Sequence, residues 1–280
     1  MQTNTSHSQL KVGVGQFAAV NEIEPNKKHI QTLVTQAAEQ GVQLLVLPEA
    51  SMCSFGSPLP QLRETAGNNS PAFIQYMQGL ARDHNMHIVV GVLSLADQPG
   101  DERVTNQLLV LDNTGNVVLR YTKMHVYDAF NFKESDKVRP GSFTEENAEL
   151  GLFDIKGFRV GLINCYDLRF PELARALIDQ GADVLSVSAA WLAGPLKENH
   201  WEILLRARAI ENTSYVLASG QTAPRNCGLS MIVDPLGMVL GTATDDPGLV
   251  VHTLSSQRIT QVRELLPCLQ NRRYQVSGLK

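Results

Sequence analysis

Cys165 lies in the middle of VGLINCYDLRFPELARALIDQG, residues 160–181, where an apolar run gives way to helical spacing. Residues 160–163 read as a buried strand, and Pro171 with Leu173, Ala176 and Leu177 reads as the opening of an amphipathic helix. A thiol at such a strand-to-helix corner projects from the sheet edge, beside backbone N–H groups able to hold a developing oxyanion. That is a useful place for a nucleophile, although a small buried cysteine suits a core equally well. With an ordinary pKa of ~8.5, only a few per cent of a thiol is ionised at neutral pH, so this chemistry needs a base or a cation nearby.

Two distant residues offer those functions. Glu49 follows VQLLVL, residues 42–47, a strand apolar on both faces. A carboxylate just beyond such a strand is costly unless paired, so Glu49 reads either as a salt-bridged strand end or as a base. Lys123 ends TNQLLVLDNTGNVVLRYTK, residues 105–123, a hairpin turned at Asn113-Thr114-Gly115. It shares a face with Val117, Leu119 and Tyr121, and either snorkels to water or sits in a dry pocket beside a carboxylate. His125 falls on the same side. With His200 it keeps open a Cys/His thiol hydrolase, in which replacing the histidine abolishes turnover and Glu49→Gln spares it.

The elements that must position these residues alternate along the whole chain. The first strand is expected over KVGVGQFAAV, residues 11–20, where Gly13, Gly15 and Ala18 match the spacing of a dinucleotide fingerprint. That motif needs a helix opening at its third position, whereas Pro25 and Asn26 put the helix well downstream, so no dinucleotide cofactor is expected. Helices follow at 26–41 and 71–85, strands at 87–94, 183–191, 215–222 and 248–254, a second hairpin at 231–243, and helices within 194–214 and 257–266. Strands apolar on both faces among flanking helices predict an α/β fold with four layers, an α-β-β-α sandwich.

Composition narrows the class further. The 280 residues show no linker, charge block or low-complexity segment, and a hydrophobic content of 43% suffices for one large core. The expected organisation is a disordered or extended tail over residues 1–10 and a single domain over 11–280. A net charge of −4 leaves no polybasic footprint, so nucleic acid and anionic membrane are not expected partners. No apolar run approaches a membrane span and the polar N-terminal stretch lacks signal-peptide character, which points to the cytoplasm. Cys53, Cys165, Cys227 and Cys268 are scattered without CxxC spacing or a nearby histidine ligand, so neither a disulfide scaffold nor a metal site is indicated.

Taken together, LPEA ending a strand, YTKMHVYD ending a hairpin and INCYDLRFPEL at the corner resemble the carbon-nitrogen hydrolase (nitrilase) superfamily, in the right order from about residue 11 to about residue 270. The resemblance implies the α-β-β-α fold, a homodimer, and Glu49, Lys123 and Cys165 as base, catalytic lysine and nucleophile, with Glu134 of FKESDKVRPG as a supporting glutamate. It implies no cofactor and a small-molecule amide substrate. KMHVYDAF, CYDLRFPELA and AAWLAGPLKENHW are most similar to the branch that hydrolyses deaminated glutathione, the neighbouring branch being ω-amidase. An acyltransferase of the superfamily, or a non-catalytic binding protein, are the other readings. Tyr166, through its N–H, would share the oxyanion with Lys123. Arg169 and Trp191 are candidates for holding a substrate carboxylate, Arg169 being equally a partner for Asp167 or Glu172. Lys123→Met, which keeps the stem, is expected to leave the melting temperature nearly unchanged.

Overall fold

In a computed structural model, which describes residues 7–141 and 150–276, the chain builds two sheets in succession. The first half gives β1 (Gln9–Gln16), α1 (Ile23–Glu39), β2 (Leu44–Val46), α2 (Leu59–Glu64), α3 (Ser70–Asp83), β3 (His87–Leu95), β4 (Val104–Leu111) and β5 (Val117–Thr122). Three two-residue strands follow, β6 (Asp128–Ala129), β7 (Phe132–Lys133) and β8 (Val138–Arg139). The second half gives β9 (Leu152–Ile155), β10 (Phe158–Asn164), α4 (Pro171–Asp179), β11 (Val184–Ala189), α5 (Lys197–Asn212), β12 (Tyr215–Gly220), β13 (Met231–Val233) and β14 (Val239–Thr242). It closes with β15 (Gly248–Ser255) and α6 (Ser256–Leu265).

One sheet runs β15-β1-β2-β3-β4-β5, with β8 also on β4, and the other β14-β13-β12-β11-β10-β9. Each has a parallel centre, β1-β2-β3 and β10-β11-β12, flanked by antiparallel strands. The pleat divides β2 between two cores. Leu44 and Val46 face the second sheet, while Leu45 and Leu47 face Ile30, Leu33, Val34 and Ala37 of α1 and Phe73, Met77 and Leu80 of α3. On the far side, Leu173 and Leu177 of α4 and Trp201 and Leu205 of α5 cover the second sheet. The result is the four-layer α-β-β-α sandwich. Among the described residues no helix is long and apolar enough to cross a membrane.

Two hydroxyls stitch the sheets at their strand ends: Ser188 Oγ donates to the Leu47 carbonyl at 2.7 Å and Ser219 Oγ to the Gly15 carbonyl at 2.5 Å. Both strands of each pair end there, so the crevice beyond the carboxyl ends of β2, β10 and β11 is where a ligand would be expected in such a sheet.

Local readings differ from the structure in identifiable ways. β1 begins at Gln9, and Leu10 is fully buried opposite Leu254, so the last residues of the expected tail belong to the sheet; residues 1–6 lie outside those described. The strand also stops at Gln16 rather than 20, because its partner β15 begins opposite it at Gly248; the Gln16 side chain is tied to Thr244 O, Asp246 O and Ser230 N. Gly15 lies within the strand, where a Cβ would meet Leu33 at 3.0 Å; it admits α1 onto the sheet and forms no phosphate turn. β9 was hidden by its shortness, and its hairpin with β10 turns on Lys156 and Gly157, both at positive φ.

Candidate active site

Cys165, Glu49 and Lys123 converge from the ends of β10, β2 and β5 on one cavity of about 450 Å³, with Glu134 beside them. Cys165 follows β10 directly at φ 52°, then a single 3-10 turn, Cys165–Arg169, precedes α4. A non-glycine residue at left-handed φ is strained, and the strain turns the thiol out of the strand's pleat toward the cavity. Asp167 holds this turn. Its Oδ2 accepts the Asn164 N–H at 3.1 Å and the Tyr121 hydroxyl at 2.8 Å, and its Oδ1 accepts the His125 N–H at 2.9 Å.

The Cys/His arrangement is not formed: neither His125 nor His200 lines the cavity that holds the thiol. His125 Nδ1 lies 2.7 Å from Asp167 Oδ1 and its ring stacks on Phe170 with centroids 3.7 Å apart. The imidazole is a brace for the cysteine turn, and the carboxylate beside the thiol is Glu49.

Glu49 is 2% exposed and every oxygen is engaged. Oε1 accepts from Lys123 Nζ at 2.9 Å and from Asn106 Nδ2 at 2.7 Å, and Oε2 accepts the Ala190 N–H, just beyond β11, at 2.7 Å. Its backbone is seated by Gly91 of β3. A Cβ there would run into the Ala50 amide nitrogen and come within 2.8 Å of the Glu49 carbonyl carbon and the Pro48 oxygen, so only glycine lets the 48–50 segment pass. Ala50, at φ 54°, completes the bend.

Lys123 is also 2% exposed, which excludes snorkelling. Its ammonium is bracketed by Glu49 and by Glu134, whose Oε2 lies 2.9 Å away. Glu134 in turn accepts the Tyr127 N–H at 2.5 Å.

The charges are arranged for proton transfer. Burial alone would raise the Glu49 carboxyl, but the Lys123 charge and hydrogen bonds hold it below its ordinary value. Burial, then the Glu49 charge, pushes the Cys165 thiol well above its ordinary value against the opposing pull of Lys123. Burial would lower Lys123, yet Glu134 and Glu49 together raise it well above the ordinary lysine value. The resting site is therefore thiol, carboxylate and ammonium. Moving the thiol proton to Glu49 leaves the local net charge unchanged, and Glu134 keeps Lys123 charged meanwhile. Burial also pushes Cys53 and Cys227 up to about 12, and neither lies in the Glu49–Lys123 bridge.

The cavity walls contain the remaining expected residues. Tyr166 lies edge-on to Tyr127 and Phe170, with centroids 5.0 and 5.3 Å away. Arg169 pairs with neither Asp167 nor Glu172; its guanidinium carbon stands 4.5 Å from the Trp191 ring centroid and its Nε has no hydrogen-bond partner among the described residues. Trp191 is pinned by donating Nε1–H to the Lys197 carbonyl at 2.9 Å.

Sequence reading missed Asn106, Asn164, Gly91, Tyr127 and Lys197. Asn106 bridges Glu49 and Asn164, the residue before the thiol, accepting from Asn164 Nδ2 at 3.1 Å. The available signal was the polar Thr105-Asn106-Gln107 stretch leading into the apolar part of β4, since an amide buried there must have partners.

Known proteins resemble this chain over nearly its full length. The carbon-nitrogen hydrolase family matches residues 11–264. A deaminated glutathione amidase of Escherichia coli O157:H7 is 40% identical over 265 residues, covering 95% of this chain and 98% of that protein. The NitFhit protein of C. elegans superposes with a TM-score of 0.86 at 28% identity, over 97% of this chain and 68% of that one. An amidase from Nesterenkonia sp. AN1, seen with the acetamide moiety of fluoroacetamide added covalently at its active-site cysteine, superposes with a TM-score of 0.77 at 25% identity, over 95% and 94% of the two chains. With three strand-end residues converging on one cavity and a family match over most of its length, this chain belongs to the carbon-nitrogen hydrolase family and is a hydrolase of carbon–nitrogen bonds.

Proposed function

We propose that the protein is a thiol amidase acting on deaminated glutathione, in which Cys165 is the nucleophile, Glu49 the general base and Lys123 the oxyanion donor. The observation that carries this reading is the buried Glu49–Lys123–Glu134 bridge against the Cys165 thiol, which sets an ammonium and a carboxylate beside a nucleophile out of reach of water. Glu49 takes the thiol proton as sulfur attacks the amide carbon, and the oxyanion is held by the Lys123 ammonium and the Tyr166 N–H. Collapse breaks the C–N bond, and the proton on Glu49 passes to the departing amine. Water activated by Glu49 then hydrolyses the thioester, frees the acid and restores the thiol.

The similarity to the E. coli amidase supports deaminated glutathione, giving 2-oxoglutarate and cysteinylglycine. The cavity supports it as well. A leaving amine with its own carboxylate extends toward the mouth, where the exposed Arg225 lines the cavity against Gly56. The test is kcat/KM of the pure protein on deaminated glutathione and on 2-oxoglutaramate. The former is expected to be at least tenfold better; equal values favour the ω-amidase reading, and nitrile turnover overturns both. Cys165→Ala should abolish hydrolysis, and residual activity above about a thousandth of wild type removes the nucleophile assignment.

The same reading includes a homodimer. It is supported by an apolar stripe on α5, where Ile203 and Ile210 are 61% and 41% exposed, continued by Met238 at 61%. A cytoplasmic setting suits the four unbridged thiols.

A further inference from the structure

Lys197 opens α5 and is 6% exposed, yet among the described residues no carboxylate pairs with it. Its ammonium donates to the Tyr127 hydroxyl at 2.7 Å and lies 3.9 Å from the centre of the Phe130 ring and 5.0 Å from that of Tyr127. Burial, the positive end of a helix dipole and the absence of a counter-ion among the described residues leave this charge poorly compensated. A phenol oxygen and two aromatic faces offset only part of that. Arg169 reaches the same ring from the cysteine turn, its guanidinium carbon 5.9 Å from the Phe130 centroid, and is likewise without an acidic partner among the described residues. Two cations from separate elements thus flank one exposed aromatic side chain, and both line the cavity that holds the Cys165 thiol.

We infer that Lys197 and Arg169 form the seat for a carboxylate on the acyl part of the substrate, with Lys197 as the residue that sets specificity for anionic over neutral amides. The assignment to the acyl side rests on the amidase reading. The acyl group stays on sulfur as the thioester, and Arg169 follows the sulfur by four residues on the same rigid turn. The leaving amine must depart toward the mouth. Bound carboxylate would supply the missing counter-charge for both cations at once, and charge-assisted hydrogen bonds in a mostly buried site are the strong kind. The empty enzyme therefore carries a destabilising lysine for the sake of binding, a common cost of function.

The experiment compares wild type, Lys197→Met and Lys197→Arg on 2-oxoglutaramate and on pentanamide, which has the same chain length and no carboxylate. Lys197→Met is expected to raise KM for 2-oxoglutaramate at least tenfold with kcat within threefold, to leave pentanamide unaffected, and to keep or raise the melting temperature. Lys197→Arg should recover most of the affinity. An equal loss on both amides, or a KM change below twofold, overturns the inference. A second readout is independent of turnover: 2-oxoglutarate should slow alkylation of Cys165 by iodoacetamide in wild type and not in Lys197→Met. If wild type turns over neither amide while this protection persists, the amidase reading fails and the carboxylate seat stands. If both variants are protected like wild type, the seat fails.

Discussion

At the scale of single residues, the site is a set of charges whose protonation states are set by one another. Glu49 lies below its ordinary carboxylate value of 4.5, whereas Cys165 and Lys123 lie above their ordinary 9.0 and 10.5. None of the three changes charge between those limits, so kcat/KM should be flat from about pH 5.5 to about 8.5; an inflection near ~6.5 would point instead to a working imidazole. The sign for stability follows the same shifts. Glu49, being depressed, stabilises the fold above 4.5 and loses that contribution as pH falls through its folded value. Lys123, being raised, stabilises below 10.5 and loses its contribution as pH rises through its folded value. Burial also corrects the expectation for Lys123→Met. Removing the ammonium strands Glu49 and Glu134 in a dry pocket, and breaking a buried pair costs about 3–5 kcal/mol. The melting temperature should fall by roughly 5–10 °C in calorimetry, with kcat down at least ~10²-fold. An unchanged melting temperature would mean that the two carboxylates are not held by this lysine.

Secondary-structure elements matter here for where they stop. β2, β5, β10 and β11 end at the same crevice, and each contributes a residue from the three that follow it: Glu49, Lys123, Cys165 and the Ala190 N–H. Placement of the first depends on a strand that carries no site residue, since Gly91 of β3 lets the 48–50 segment lie across it. Gly91→Ala should push that segment away. The expected outcome is a loss of about 1–3 kcal/mol in denaturant unfolding and a fall in kcat of about 10²-fold, the scale of misplacing a base by an ångström. If kcat of the alanine variant stays within threefold of wild type, Glu49 does not depend on β3 for its position.

For the molecule as a whole, the two-sheet sandwich leaves one face unusual. Ile203 and Ile210 stand two turns apart on α5, and the turn at Gly237 packs on Ile210 and accepts from Arg206 Nε at 3.0 Å, so Met238 extends the same apolar surface. A patch of this kind suits self-association. On the proposed homodimer, Ile203→Glu should shift the species seen by light scattering from twice the chain mass to the monomer mass, without loss of helical signal. A wild-type monomer at micromolar concentration would remove the dimer from the reading.

Much of this protein was legible in the chain itself, because strand and helix periods are local properties. The apolar run ahead of Cys165, Pro171 opening α4, the doubly apolar β2 ahead of Glu49 and the hairpin ending at Lys123 all follow from spacing over a few residues. Short elements such as β9 and α2 escaped because they bury too little to show a period. Partner choice was beyond reach for a different reason. Lys123 meets Glu49 across 74 positions, Asn106 meets Asn164 across 58, and Lys197 meets Tyr127 across 70. The first pair exists only once its sheet has assembled, and the other two only after the two halves of the chain have packed together. The sequence by itself determined which residues end at strand termini; whether Lys123 snorkels or bridges, whether His125 serves the thiol or Asp167, and that Lys197 faces the cavity with no acid beside it among the described residues were decided by packing, since the burial that makes charges interact strongly is a property of the assembled core.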